Sequence, residues 1–278
     1  MFIWSTVVYD PIAYWTWNAN GWLYKLPTYD FAGGGPVHIA SGTCGLAYSL
    51  MLGKRTGYSH AHGLPYRPHN VTNVVLGTVF LWVGWFGFNG GSALGMNIRA
   101  VMACVVTNLA ASAGGITWML LDYRLEKKWS TIGFCSGAIA GLVAITPASG
   151  FVPPWAAFII GIAGGLCCNF ATKLKFVIGV DDSLDIFAIH GIGGMVGNVL
   201  TGIFGAYVFS PLSVSPVLNN IYIKTNIITA HTLPVSTAAN TTPSAGSTAT
   251  TSNSATSSPA SAQPSAGLSS SPASSSSS

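Results

Sequence analysis

The chain has 278 residues, of which 50% are hydrophobic and only 6% charged, with a formal net charge of +4. An ordinary soluble domain carries about 25% charged residues, so this composition excludes a water-soluble globule and predicts an all-α, polytopic bundle of transmembrane helices. No basic patch for nucleic acid and no phosphate-binding glycine loop stands in the sequence, so neither nucleic acid nor a cofactor is expected.

Residues 1–17 are apolar and aromatic but are interrupted by Asp10-Pro11, which predicts the second half of a span. They lack the basic start and small-residue cleavage site of a signal peptide. Tyr14, Trp15, Trp17, Trp22 and Tyr24 then crowd together as in the aromatic belt of a membrane boundary. Residues 31–53 form the first complete span, closed by Lys54-Arg55. The second runs over 71–98 and the third over 100–121, closed by a charged stretch to Lys128. Residues 129–172 carry no charge and exceed one helix; the run from Thr146 to Pro154 divides them into a fourth and a fifth span. Three carboxylates at Asp181, Asp182 and Asp185 precede the sixth, which stays uncharged to Phe209. That length suffices to cross a hydrocarbon core of roughly 30 Å. The prediction is six full spans plus a partial one over residues 1–209. Residues 210–278 form a Ser/Thr/Pro/Ala-rich tail without periodicity, expected to be disordered.

Positive charge sorts by side. Lys54, Arg55, Arg67, Arg124, Lys127, Lys128, Lys173 and Lys175 fall in alternate loops, and the opposite loops hold Lys25 and Arg99. The positive-inside bias makes the first set cytoplasmic. The His38 span then enters from outside and the His190 span runs outward. The tail, with its sequon Asn240-Thr-Thr242, is placed outside.

An ionisable residue inside a span is a functional-site hypothesis, and His38 and His190 are the pair this sequence offers. Neutral imidazole donates from one nitrogen and accepts at the other, which suits a path of low polarity. A hydrogen-bonded structural pair is the alternative. On antiparallel helices the two fall at overlapping but different depths, so their meeting requires a break or tilt in one helix; Gly33–Pro36 is the candidate. Asp30 and Asp185 stand at span starts, where capping and dipole compensation are expected over ion binding. Asp181 and Asp182 are expected to be flanking carboxylates. Trp17, Trp85 and Phe88 are either packing aromatics or a vestibule whose ring faces attract a cation. His60-Ala-His62 with His69 is too slight a pattern to predict a metal site, and the cysteines, all in apolar segments, predict buried thiols rather than disulfides. Glycine pairs at 87/91, 91/95, 137/141, 161/165 and 193/197 predict close helix contacts.

Several of these stretches resemble the ammonium transporter family (Amt/Mep/Rh). They are Asp30-Phe-Ala-Gly-Gly with His38, Gly84-Trp-Phe-Gly-Phe-Asn with Ser92, Ser136-Gly-Ala-Ile-Ala-Gly-Leu-Val, and Asp181-Asp with His190-Gly; Trp15 to Trp22 looks like the fungal branch. The resemblance covers residues 1 to about 209 and implies part of an eleven-helix fold. It implies a non-enzymatic, multi-pass plasma-membrane channel for ammonium and ammonia, assembled as a homotrimer or with full-length homologues. Trp17, Phe88 and Ser92 would bind the substrate outside, His38 and His190 would form the pore relay, and Trp85 and Ile186 would line the pore. Asp30 and Asp185 would give structural support. Against that pattern the chain starts midway through the fourth span and stops after the tenth, so a truncated, non-conducting subunit that modulates intact homologues is the alternative.

Overall fold

A computed structural model describes residues 1–26, 28–56, 58 and 68–209, with side chains to residue 205. Every regular element among them is helical. α1 covers residues 2–17 as Phe2–Trp4, a π-helical turn Ser5–Tyr9, and Asp10–Trp17. α2 is the short Trp22–Lys25. α3 covers residues 34–52 as a π-helical turn Gly34–Ile39 followed by Ala40–Leu52. Then come α4, Val71–Gly91, α5, Ile98–Glu126, α6, Thr131–Ile145, α7, Pro154–Ala171, and the short α8, Leu174–Ile178. α9 covers residues 187–209 as a π-helical turn Phe187–Ile192 and Gly193–Phe209.

The sequence signals at the helix ends are used as chemistry requires. Asn70, Asn97 and Ser130 each accept a backbone N–H of the first turn, from Asn73, Ala100 and Gly133 at 3.2, 3.0 and 2.8 Å. Pro154 opens α7, at a position where its missing N–H costs nothing. Lys127, in the left-handed region with φ 58°, ends α5 and donates its N–H to the Tyr123 carbonyl at 3.0 Å.

Three differences from the sequence reading have physical causes. Asp10-Pro11 does not interrupt α1, because the π-helical turn just before it widens the hydrogen-bond ladder that a proline would otherwise break. The brief exit at Arg99 falls earlier, at residues 92–97, and α5 continues past Leu121 to Glu126. The fourth span is a helix of 15 residues, about 22 Å at ~1.5 Å per residue, and Pro147 turns the chain immediately after it. Among the described residues four segments, Val71–Gly91, Ile98–Glu126, Pro154–Ile178 and Phe187–Gly205, are long and apolar enough to cross a membrane.

The core lies where α5, α6 and α7 meet. Val106, Ala110, Ala144, Ile145 and Ile160 are fully buried there, beside a second cluster of Trp85, Trp118, Leu142, Val143 and Ile189. The three backbones nearly touch. A Cβ added at Gly161 would lie 2.7 Å from Ala110 Cα, and one at Gly165 would lie 2.7 Å from the Gly114 carbonyl oxygen. In lipid, where apolar surface supplies no drive between helices, such small-residue contacts replace it. The expected pairs 137/141 and 161/165 sit at these approaches and 193/197 sits where α9 packs on α6 and α7, whereas Gly87 and Gly91 have nothing within 4 Å. α4 is accordingly the most exposed long helix, with Val79, Phe80 and Val83 at least half exposed.

Candidate functional site

The first histidine is placed by a turn built on Asp30. Its carboxylate accepts three successive backbone N–H groups, from Gly33, Gly34 and Gly35, at 2.8, 2.7 and 2.7 Å. Gly33 reaches φ 110°, a backbone state that a side chain would strain. The indole Nε1–H of Trp17 donates to the Asp30 carbonyl at 2.8 Å, and Phe31 N–H donates to the Pro147 carbonyl at 2.9 Å. Within this frame the N–H of His38 reaches back five residues to the Gly33 carbonyl, 3.1 Å. That is the π-helical bond, and it carries His38 into the interior, 4% exposed.

The second histidine is placed by residues 181–186. The carboxylate that receives backbone N–H groups there is Asp182, from Ile186 at 3.1 Å and Phe187 at 2.9 Å. Asp185, expected to cap this helix, has φ 53° and pairs with Lys175 at 2.7 Å. The left-handed backbone turns its carboxylate away from the helix axis, and its carbonyl instead accepts the Ile189 N–H at 2.8 Å. Asp181 instead pairs with Arg55, its carboxylate covered. Burial pushes the carboxyls of Asp30 and Asp185 up from 3.8, against the pull of Gly35 and of Lys175. The hydrogen bonds and charge of Arg55 hold Asp181 below that value.

α3 and α9 cross where both lack side chains. A Cβ at Gly42 would lie 2.6 Å from Gly191 Cα, and one at Gly194 would lie 3.0 Å from the Gly34 carbonyl oxygen. This approach brings His190 Nδ1 within 3.2 Å of His38 Nδ1, with ring centroids 5.3 Å apart. The expected break in one helix is in fact a π-helical turn in each.

Thr146, which the sequence reading passed over, joins the same hydrogen-bond network. Its hydroxyl donates to the Leu142 carbonyl at 2.8 Å and accepts from Trp85 Nε1–H at 2.9 Å. The same oxygen lies 3.2 Å from His38 Nε2. When the hydroxyl gives its single proton to Leu142 it is an acceptor toward His38, and in that tautomer Nε2 of His38 carries hydrogen and its Nδ1 accepts. Nδ1 of His190 is then the donor, and Nε2 of His190 keeps a free lone pair. In that tautomer the chain of donation runs His190 to His38 to Thr146 to Leu142.

Trp85 stacks on His38, with centroids 5.3 Å apart and planes 17° apart, and Phe88 meets both rings at 6.2 and 5.9 Å. Ser92, one turn beyond, donates its hydroxyl to the Phe88 carbonyl at 2.8 Å. Trp17 joins the cluster only through the Asp30 turn. Ile186 covers Gly45, where a Cβ would lie 2.9 Å from Ile186 Cγ2. A cleft of about 980 Å³ opens on the other side of α3, lined by Val8, Ile12, Thr16, Ile39, Cys44 and Asn198 among others; neither histidine lines it. Among the described residues no group of three metal-ligating side chains assembles. His60, His62 and the tail sequon lie outside the described residues.

Residues 1–249 match the sequence profile of the Ammonium Transporter Family. The chain is 64% identical over 206 residues to ammonium transporter 1 of Schizosaccharomyces pombe, covering 74% of this chain and 41% of that protein. It is 58% identical over 208 residues to the ammonium transporter Mep2 of Saccharomyces cerevisiae, covering 74% and 42%. The crystal structure of Saccharomyces cerevisiae Mep2 superposes with a TM-score of 0.70 at 55% identity, over 77% of this chain and 49% of that one. The chain thus spans less than half the length of these relatives. On the profile match, the identities and the shared helical bundle, this chain is a membrane protein of the ammonium transporter family.

Proposed function

We propose that this chain forms the histidine-bearing part of a conduit that takes up ammonium and passes ammonia. The observation that supports it most is the contact of two imidazoles, 3.2 Å apart, inside a bundle of apolar helices. A desolvated ammonium ion is too costly in such surroundings, whereas neutral ammonia is not. In this reading Trp17, Phe88 and Ser92 hold the cation on the outer side, by ring faces and a hydroxyl. The ion gives up its proton to the outer solvent before entering. Ammonia then passes along His38 and His190 beside Trp85 and Ile186, with the His190 Nε2 lone pair as acceptor for its N–H bonds. Potassium, which has no proton to lose and no hydrogen bond to donate, is refused. Asp30 and Asp185 support the two histidine turns.

The same reading places the chain in the plasma membrane, with the Lys/Arg-rich loops in the cytoplasm and the serine-rich tail outside. Trimeric assembly would cover the exposed apolar face of α4. The test is uptake of labelled methylammonium by yeast cells stripped of their own ammonium transporters. Uptake by this chain, lost on His190→Ala at equal amount in the membrane, is the expected result. Absence of uptake by a correctly inserted chain, or uptake indifferent to His190→Ala, would reject the proposal.

A further inference from the structure

The cytoplasmic end of α3 is tied to the segment leading into α9 by a contact outside the histidine site. Arg55, three residues beyond the end of α3, donates to Asp181 from its backbone N–H at 3.0 Å, from Nε at 2.7 Å and from Nη2 at 2.6 Å. Both carboxylate oxygens are engaged, and the Asp181 side chain is 3% exposed although that of Arg55 is 46% exposed. The Tyr58 hydroxyl adds a bond to the Val180 carbonyl at 3.3 Å. The next residue, Asp182, points the opposite way and accepts the first N–H groups of α9. Two adjacent carboxylates thus link the loop after the His38 helix to the start of the His190 helix.

α3 and α9 make their closest backbone approach at Gly42 and Gly191, and crossing helices can rock about such a point. The end of α3 at Leu52 lies 10 residues past Gly42, about 15 Å along the helix, and His38 lies about 6 Å to its other side. Play of about 3 Å at that end would swing His38 by about 1 Å, which opens a 3.2 Å ring contact beyond hydrogen-bonding range. We propose that Asp181, held by Arg55, is a positioning residue that removes this pivot and keeps the two histidines in contact. The proposal rests on the conduit reading above.

Two measurements separate the proposal from that reading. The first is uptake kinetics of Asp181→Ala and Asp181→Glu, normalised to the amount in the membrane. The expected result for Asp181→Ala is a fall in maximal rate of about five-fold, the factor that one ordinary hydrogen bond carries, at unchanged KM because the outer cation site is untouched. Asp181→Glu, which keeps a carboxylate for Arg55, retains most of the rate. The second is the yield of disulfide between positions 38 and 190 in a His38→Cys/His190→Cys chain, identified by peptide mass, with and without Asp181→Ala; this needs no transport. A several-fold drop in yield is expected, and Asp181→Glu restores it. An unchanged yield, an equal loss with Asp181→Glu, or wild-type uptake by Asp181→Ala overturns the proposal. A falling yield in a chain that never transports upholds the positioning role and rejects the conduit.

Discussion

Gly42→Ala puts the contact between the two histidine helices to a direct test. The added methyl would lie 2.6 Å from Gly191 Cα and 3.0 Å from the His190 carbonyl carbon, where ordinary contact begins at 3.4 Å. These neighbours are backbone and cannot rotate away, so the helices must separate. Moving Gly191 Cα from 2.6 to 3.4 Å is an opening of 0.8 Å, and it carries the 3.2 Å Nδ1–Nδ1 contact to about 4 Å, too long for a hydrogen bond. Overpacking of this kind costs about 1–3 kcal/mol, and the broken bond adds about 1 kcal/mol. Thermal unfolding of purified protein in detergent should show Tm lowered by roughly 2–4 °C per kcal/mol, and normalised uptake should fall with it. Gly77→Ala is the control, because a Cβ there meets nothing within 4 Å. If Gly42→Ala matches Gly77→Ala in both Tm and uptake, the helices are not in backbone contact and the account of the site is wrong.

Thr146→Val keeps the shape but removes the oxygen shared by His38 and Trp85; leaving these buried donors unmet should cost about 1–3 kcal/mol and cut the maximal uptake rate, while Thr146→Ser should retain both, and equal behaviour of the two variants would refute the hydroxyl's role. Asp30→Ala strands three N–H groups and should lower stability by about 2–4 kcal/mol, read as Tm; a change below 1 °C in a chain with the same helical signal would contradict the turn. The Arg55 contact sets a pH dependence with a definite sign. A carboxyl held below its ordinary 3.8 contributes stability that is fully present above that value and is lost only as pH falls through the lower, folded value. Trypsin cleavage after Lys54 and Arg55 in inside-out vesicles, corrected for enzyme activity, should therefore be the same at about pH 8 and about pH 6. A marked rise at the lower pH would mean that some other group holds the loop. Arg67 precedes Pro68, so the loop offers trypsin no other bond.

Much of the bundle was legible because charge is so scarce: most Lys and Arg lie at or near helix ends, and the uncharged runs between them make up most of α3 to α7 and α9. The histidine pair was legible for the same reason, since an imidazole in such a run has few benign explanations. Thr146 was not. Its importance comes from contacts with residues 61 and 108 positions away, and a threonine before Pro147 looks like an ordinary helix end. Asp182 and Asp185 lie within one helical turn of each other, and only the left-handed backbone at Asp185 decides which carboxylate meets the N–H groups. The glycine spacings alike predicted contacts at 87/91 and at 161/165, but spacing carries no information on which face a neighbour occupies, and only the second pair is covered within this chain.

The π-helical turns at Gly34–Ile39 and Phe187–Ile192 each hold one residue more than an α-helical turn of the same length. That surplus acts as a phase shift. Rewinding either stretch as an ordinary α-helix with all its residues kept would rotate everything beyond by about 100°, sending the lipid-facing side of the span inward. The histidines are thus aimed by a local unwinding of the helix, and the π winding of these two short stretches matters as much as the identity of the rings they carry.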